Sequence, residues 1–305
     1  MLIKNKILFE DSKIFSKTVF DQIIVSGSNF LTTFILIRYL GLQDFGLFSK
    51  IWIVIISINI IQQAIIINPL LSISSKLINS HKEKYLSETY NLQLVFSFCF
   101  FIILFFVAKL TGNFIFEEKN NLKLFIMLSS TIFIQLNEFY RRAFYVNDKI
   151  LELIKFDSIR YFIQICFLFF ILSKGIKGSE VILIIFSLSS LFSILFHQKY
   201  IPKLSFSFKA TKNAFKKNWV ISKWLITNSL VSWFQSNYLL FLTSFTLGPI
   251  SLAVIRSFQT ILGISHIILN SLDTWLPVKI AKVFKKESSH YFENYIKRFI
   301  FNSSI

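Results

Sequence analysis

Acidic residues, cysteine, glycine and proline are all scarce in this chain. Against 33 Lys and Arg it sets only 16 Asp and Glu, and its 305 residues include 2 Cys, 8 Gly and 4 Pro. The cysteines, Cys99 and Cys166, both fall inside apolar runs, which excludes a disulfide framework or a thiolate metal set and reads as two small core residues. No His-Glu metal spacing, glycine-rich phosphate loop, nucleophile motif or extramembrane catalytic domain is present, so the chain does not read as an enzyme and no cofactor is expected. Charged residues make up 16% of the chain and hydrophobic ones 54%, with a mean hydropathy of +0.60. That is too little polar surface for a soluble domain of this size. Met1 to Lys17 is mixed polar and the first apolar run is too long for an h-region, so no cleavable signal peptide is read.

What is present is a succession of apolar spans. They fall at about 19–40, 46–71, 91–110, 122–146, 159–173, 180–198, 224–247 and 251–276, each read as a helix crossing a bilayer core of about 30 Å, with part of a ninth to follow. The formal charge of +17 resembles a nucleic-acid footprint only until the basic residues are placed. With a cytoplasmic N-terminus, all but Arg38, Lys50, Lys109, Lys119, Lys123, Lys174, Lys177 and Arg256 fall in cytoplasmic segments. This is the positive-inside asymmetry that sets the orientation of a polytopic membrane protein, whose surroundings are a lipid bilayer, not nucleic acid.

Polar residues are unevenly spread over the spans. Gln22, Ser26, Asn29 and Thr33 recur at i, i+4, i+7 and i+11, one face of a helix, and Thr131, Gln135, Glu138 and Arg142 repeat the spacing in the fourth span. The eighth carries Arg256, Gln259, Gly263, His266, Asn270 and Asp273, and the seventh Ser229, Ser232, Ser236 and Thr243 with Asn228 and Gln235 beside them. Asn59, Gln62 and Gln63 cluster in the second. The third, fifth and sixth spans have almost nothing comparable. Spans one, two, four, seven and eight are therefore expected to line a hydrophilic lumen, with the others facing lipid.

SNFLTTFILIRYLG, from Ser28 to Gly41, returns as SNYLLFLTSFTLG, from Ser236 to Gly248, with one residue fewer. Asn68-Pro69 and Leu276-Pro277 punctuate the ends of the following spans alike. An even number of spans between copies keeps both in one orientation, as in transporters whose halves are related by an axis along the membrane normal. The expected fold is an all-α polytopic bundle: a six-helix lobe over 1–207 and an incomplete second lobe over 208–305. A second copy as long as the first would reach roughly residue 415, so the sequence reads as a fragment or a prematurely stopped product.

DQIIVSGSNFLTTFILIRYLGLQDFGLF at the first hairpin, FYRRAFY from Phe139 to Tyr145 and the repeated hairpin resemble the polysaccharide transporter family. These are the O-antigen flippases of the Wzx type, within the multidrug/oligosaccharidyl-lipid/polysaccharide exporter superfamily. The resemblance implies translocation of an undecaprenyl-pyrophosphate-linked oligosaccharide, with polysaccharide polymerase and chain-length machinery as partners. A pyrophosphate crossing the membrane needs cations, and a sugar needs hydrogen-bonding groups. The candidates are Arg38, Lys50, Arg141, Arg142 and Arg256, with Asn29, Glu138, Gln259 and Asn270; Asp21, His266 and Asp273 are candidates for ion coupling. Each has a structural alternative: snorkelling for Arg38 and Lys50, interfacial anchoring or an i, i+4 pair with Glu138 for Arg142, and caps or pairs at helix ends for Asp21 and Asp273. A drug or cation antiporter of the same fold, and a membrane polymerase or glycosyltransferase, remain alternatives.

Overall fold

In the computed structural model residues 2–110, 120–200 and 207–262 are described, and no strand occurs among them. Helix α1 (Leu2–Gln62) passes through a π-helical turn (Gln63–Ile67) into α2 (Asn68–Ser74), and α3 (Asn79–Leu110), α4 (Asn121–Val146), α5 (Ile150–Ser173), α6 (Ser179–Phe196), α7 (Phe208–Thr246) and α8 (Gly248–Leu262) follow. Five stretches are long and apolar enough to cross a bilayer: Ser16–Ser74, Ser80–Leu110, Asn121–Val146, Ile150–Ser173 and Ser179–Phe196. The chain is a helical membrane bundle.

α1 is broken at Gly41, whose φ of 79° and ψ of 171° suit only a residue without Cβ. The break separates an arm over 2–40 from an arm over 42–62. Gln22 and Ile56, one on each arm, line the same groove, although along an unbroken helix they would lie about 50 Å apart. The arms therefore fold back on each other as a hairpin. Gly248, at φ 81°, makes the corresponding turn between α7 and α8. The two turns meet: a Cβ at Gly46 would overlap the carbonyl oxygen of Pro249. α8 packs along α1, and α7 along α1 and α3.

Several helices begin earlier than the apolar runs suggest. α3 starts at Asn79 rather than near 91, α5 at Ile150 rather than near 159, and α7 at Phe208 rather than near 224. Their leading turns are rich in Lys, Glu, Leu and Ala, good helix formers whatever their hydropathy. Tertiary bonds hold two of these extensions together: the Tyr85 hydroxyl donates to Asn218 Oδ1 at 2.6 Å and Lys217 Nζ to Glu88 Oε2 at 2.9 Å. Cys99 and Cys166 are exposed and not part of the core. They share the outward faces of α3 and α5 with Phe98, Ile102 and Phe106, and with Phe162, Phe169 and Phe170, because an unbroken apolar run cannot tell a lipid-facing side from a packed one.

Packing gathers into two large apolar clusters. One includes Leu36, Phe45, Phe48, Leu128, Leu168 and Phe186; the other includes Ile66, Leu70, Tyr85, Phe139, Phe144 and Phe156. A polar layer lies at their junction. Gln62 Nε2 donates to Gln93 Oε1 at 2.9 Å and to the Gln135 carbonyl at 2.8 Å, Gln93 donates to Ser97 Oγ at 2.9 Å, and Ser97 donates to Gln135 Oε1 at 2.7 Å. The buried serines of α6 allow close helix approach. Ser187, Ser189 and Ser190 bond back to carbonyls of their own helix, while Ser193 donates to Phe156 O on α5 at 2.6 Å.

Candidate functional site

The first arm of α1 has two polar sides, and adjacent residues send them into different surroundings. Asp21 is buried in packed protein, while Thr32, also buried, accepts from Gln164 Nε2 at 3.0 Å and borders the groove itself. Gln22, Ser26, Asn29 and Thr33 line a groove of about 440 Å³, together with Ser49 and Trp52 of the second arm, Phe186 of α6, and Arg256, Gln259 and Thr260 of α8. On the first arm Gln22 Nε2 donates to Ser26 Oγ at 3.4 Å and Thr33 Oγ1 to the Asn29 carbonyl at 2.9 Å. Across the groove Arg256 Nη1 donates to Gln259 Oε1 at 3.3 Å. Among the described residues that guanidinium forms no ion pair, and the described lining holds no carboxylate. A guanidinium among amides and hydroxyls can donate to an anion.

A smaller groove, about 260 Å³, lies one helical turn further along the second arm, from Ile56 in the first groove to Ile60 in the second. Gln63 and Asn68 line it from the π-turn, and Asn228, Ser229, Ser232, Trp233, Ser236 and Asn237 from α7. Ile53, Leu240 and Leu252, with Trp233 and Ile255 against them, pack α7 and α8 onto this arm.

The expected single lumen is corrected at α4. Gln135 belongs to the buried amide network described above, and Glu138 and Arg142 belong to a closed ion cluster. Arg141 is its centre. Its Nε donates to Asp157 Oδ2 at 2.7 Å, Nη1 to Glu138 Oε2 at 3.2 Å and Nη2 to Asp21 Oδ2 at 3.5 Å. Arg142 meets Glu138 Oε1 at 2.8 Å, the i, i+4 pair that the spacing allows. The Tyr145 hydroxyl donates to Asp21 Oδ2 at 3.4 Å, and Arg160 Nη1 donates to Asn137 Oδ1 at 2.8 Å. Asp21 and Asp157 are fully buried. Asp21 lies within α1, not at a helix end, because that helix begins at Leu2.

Neither α3 nor α5 is featureless. Asp157, Arg160 and Gln164 of α5 are buried, Gln164 donating to Thr32 at 3.0 Å, and α3 buries Glu88, Thr89, Gln93 and Ser97. Their i, i+3, i+7 spacing on α5 was the available signal, but two of these residues precede or open the apolar run and resemble loop charge. Of the remaining candidates, Arg38 is exposed outside both grooves, and Lys50 is buried with its ammonium 5.1 Å from the Phe245 ring centre. His266, Asn270 and Asp273 lie outside the described residues. Among the described residues no group of three His, Cys, Asp or Glu is placed to hold a metal ion. No protein-family model, curated protein or solved structure matches the chain.

Proposed function

We propose that this protein moves an anionic, lipid-linked oligosaccharide across the membrane through the space between α1 and the α7–α8 hairpin, as a flippase of the polysaccharide transporter type. One observation carries the reading: the fold brings Arg256 and Gln259 to the groove lined by Gln22, Ser26, Asn29 and Thr33. Residues more than two hundred positions apart thus form one polar surface whose only charge, among the described lining, is positive. A drug or cation antiporter would need a carboxylate there. Closure at the Gly41 end, where Gly46 meets Pro249, supports a path that opens at one end at a time.

On this reading the pyrophosphate sits against Arg256, with Asn29 and Gln259 offering amides. Glu138 and Arg142 hold the first lobe rigid. Asp21 takes the ion-coupling role together with Asp157, since each leaves its Oδ1 buried without a donor among the described residues.

The test uses the purified chain in lipid nanodiscs with farnesyl pyrophosphate as probe. Saturable binding is expected. Arg256→Ala should weaken it about tenfold or more, the weight of one charged hydrogen-bond partner, and Arg256→Lys should restore part. Unchanged binding by a folded Arg256→Ala protein would remove the phosphate role. In a strain deleted for its own flippase, restored surface polysaccharide is the corresponding readout in cells.

A further inference from the structure

The smaller groove differs in chemistry from the one beside it. Its described lining holds no charged residue at all. Gln63, Asn68 and Asn228 have no side-chain partner among the described residues, so each offers an amide donor pair and a carbonyl acceptor to whatever enters. The Asn237 amide and the Ser236 hydroxyl spend a proton on carbonyls of α7, at 3.1 and 2.9 Å, which leaves their oxygens as acceptors. Trp233 adds an aromatic face and an indole N–H that is buried without an acceptor.

The backbone is shaped for this lining. In an α-helix residues five apart point about 140° away from each other. The π-turn over Gln63–Ile67 is wider, closing with the Asn68 N–H on the Gln63 carbonyl, and it brings both side chains to the same groove. Such a turn leaves a carbonyl behind. α7 takes it up: Asn218 Nδ2 and Ser222 Oγ both donate to Ile65 O, at 3.1 and 3.2 Å. The irregular turn is thus supported from one side and presents its amides on the other.

We propose that this groove is a binding site for a neutral sugar ring. Uncharged amides and hydroxyls match the hydroxyls of a pyranose, and the indole supplies a flat face for its C–H side. A phosphate would find no cation in it, and an acyl chain would leave the amides unsatisfied. The proposal rests on the transport reading and deepens it: the head group spans two adjacent subsites, phosphate at Arg256 and sugar at Trp233.

The experiment labels the indole nitrogens of the chain in nanodiscs, free of maltoside detergent, and follows the Trp233 N–H resonance, identified by its loss in Trp233→Phe. The probes are N,N′-diacetylchitobiose and maltose at tens of millimolar, then farnesyl pyrophosphate. At least one disaccharide should move the Trp233 signal saturably. Ser232→Phe, which fills the groove from an exposed position of α7, should abolish the shift while farnesyl pyrophosphate still binds through Arg256. If neither sugar moves the signal while pyrophosphate binds, the sugar site is overturned and the transport reading stands. A shift that survives Ser232→Phe also overturns it. Sugar binding lost in Ser232→Phe, in a protein that never binds pyrophosphate, would uphold this groove and sink the phosphate site instead.

Discussion

Asp21 and Gln22 are neighbours in sequence and belong to opposite kinds of polar surface. From Asp21 one helical face runs into a closed cluster where every arginine finds a carboxylate or an amide partner. From Gln22 the next face, about 100° round the helix, runs into a groove whose guanidinium, among the described residues, donates to an amide alone. Polar residues at membrane depth thus do two jobs here. In the cluster opposite charges pair and fix helix positions, although Asp21 and Asp157 each keep one oxygen without a donor; in the larger groove the described lining sets no carboxylate against its guanidinium.

The sharpest way to break this contrast is to remove one arginine from each side. Arg141→Leu leaves Asp21, Asp157 and Glu138 sharing a buried space without their common partner, a change expected to cost about 3–5 kcal/mol and to lower both membrane abundance and thermal stability in detergent. Asp21→Asn combined with Asp157→Asn in the same background should recover part of that loss, since it removes the uncompensated charge. Arg256→Leu should leave stability nearly unchanged and affect binding alone. Comparable instability in both arginine variants would erase the distinction between scaffold and site.

A smaller effect is expected where the two hairpin turns touch. Gly46→Val places side-chain carbons where the Pro249 carbonyl lies, so α8 must back away from α1 at that end. Overpacking of this kind costs about 1–3 kcal/mol. Cysteines introduced at Leu42 and Ile250 report the separation by cross-linking, and their yield should fall in Gly46→Val. Gly27→Val is the control, because a Cβ there meets nothing within 4 Å.

How far this division could be read in advance depends on what hydropathy and periodicity register. The Gly41 and Gly248 turns were legible, since each glycine stands between two apolar runs and tolerates the backbone of a sharp turn. The stripe Gln22, Ser26, Asn29 and Thr33 was legible as one face, and the structure sets it opposite Arg256 and Gln259. What the face meets was not legible. The stripe on α4 has the same spacing and is packed against α1, α3 and α5 instead. Asp157 and Arg160 escaped because a window that seeks apolar runs discards charged turns, and only tertiary pairing with Arg141 and Asn137 draws them inside. The π-turn escaped because QAIII is an ordinary helical string; the departure is held by acceptor demand from Asn218 and Ser222, over 150 residues away.

The amide network on α2's side of the bundle supplies the mildest test. Gln135 lies where the two apolar clusters meet, and its side chain accepts from Ser97 while its carbonyl accepts from Gln62. Gln135→Leu is close in volume and keeps the backbone carbonyl, so Gln62 retains both its acceptors and only the Ser97 hydroxyl is stranded. The expected loss is about 1–2 kcal/mol, below that of Arg141→Leu, with binding at Arg256 untouched. Ser97→Ala added to Gln135→Leu removes the stranded hydroxyl but also takes from Gln93 Nε2 its acceptor, so only part of that loss should return. A double variant no more stable than Gln135→Leu alone would mean that the network ties α3 to α4 through more than this one bond, and would move Gln93 from the edge of the layer to its centre.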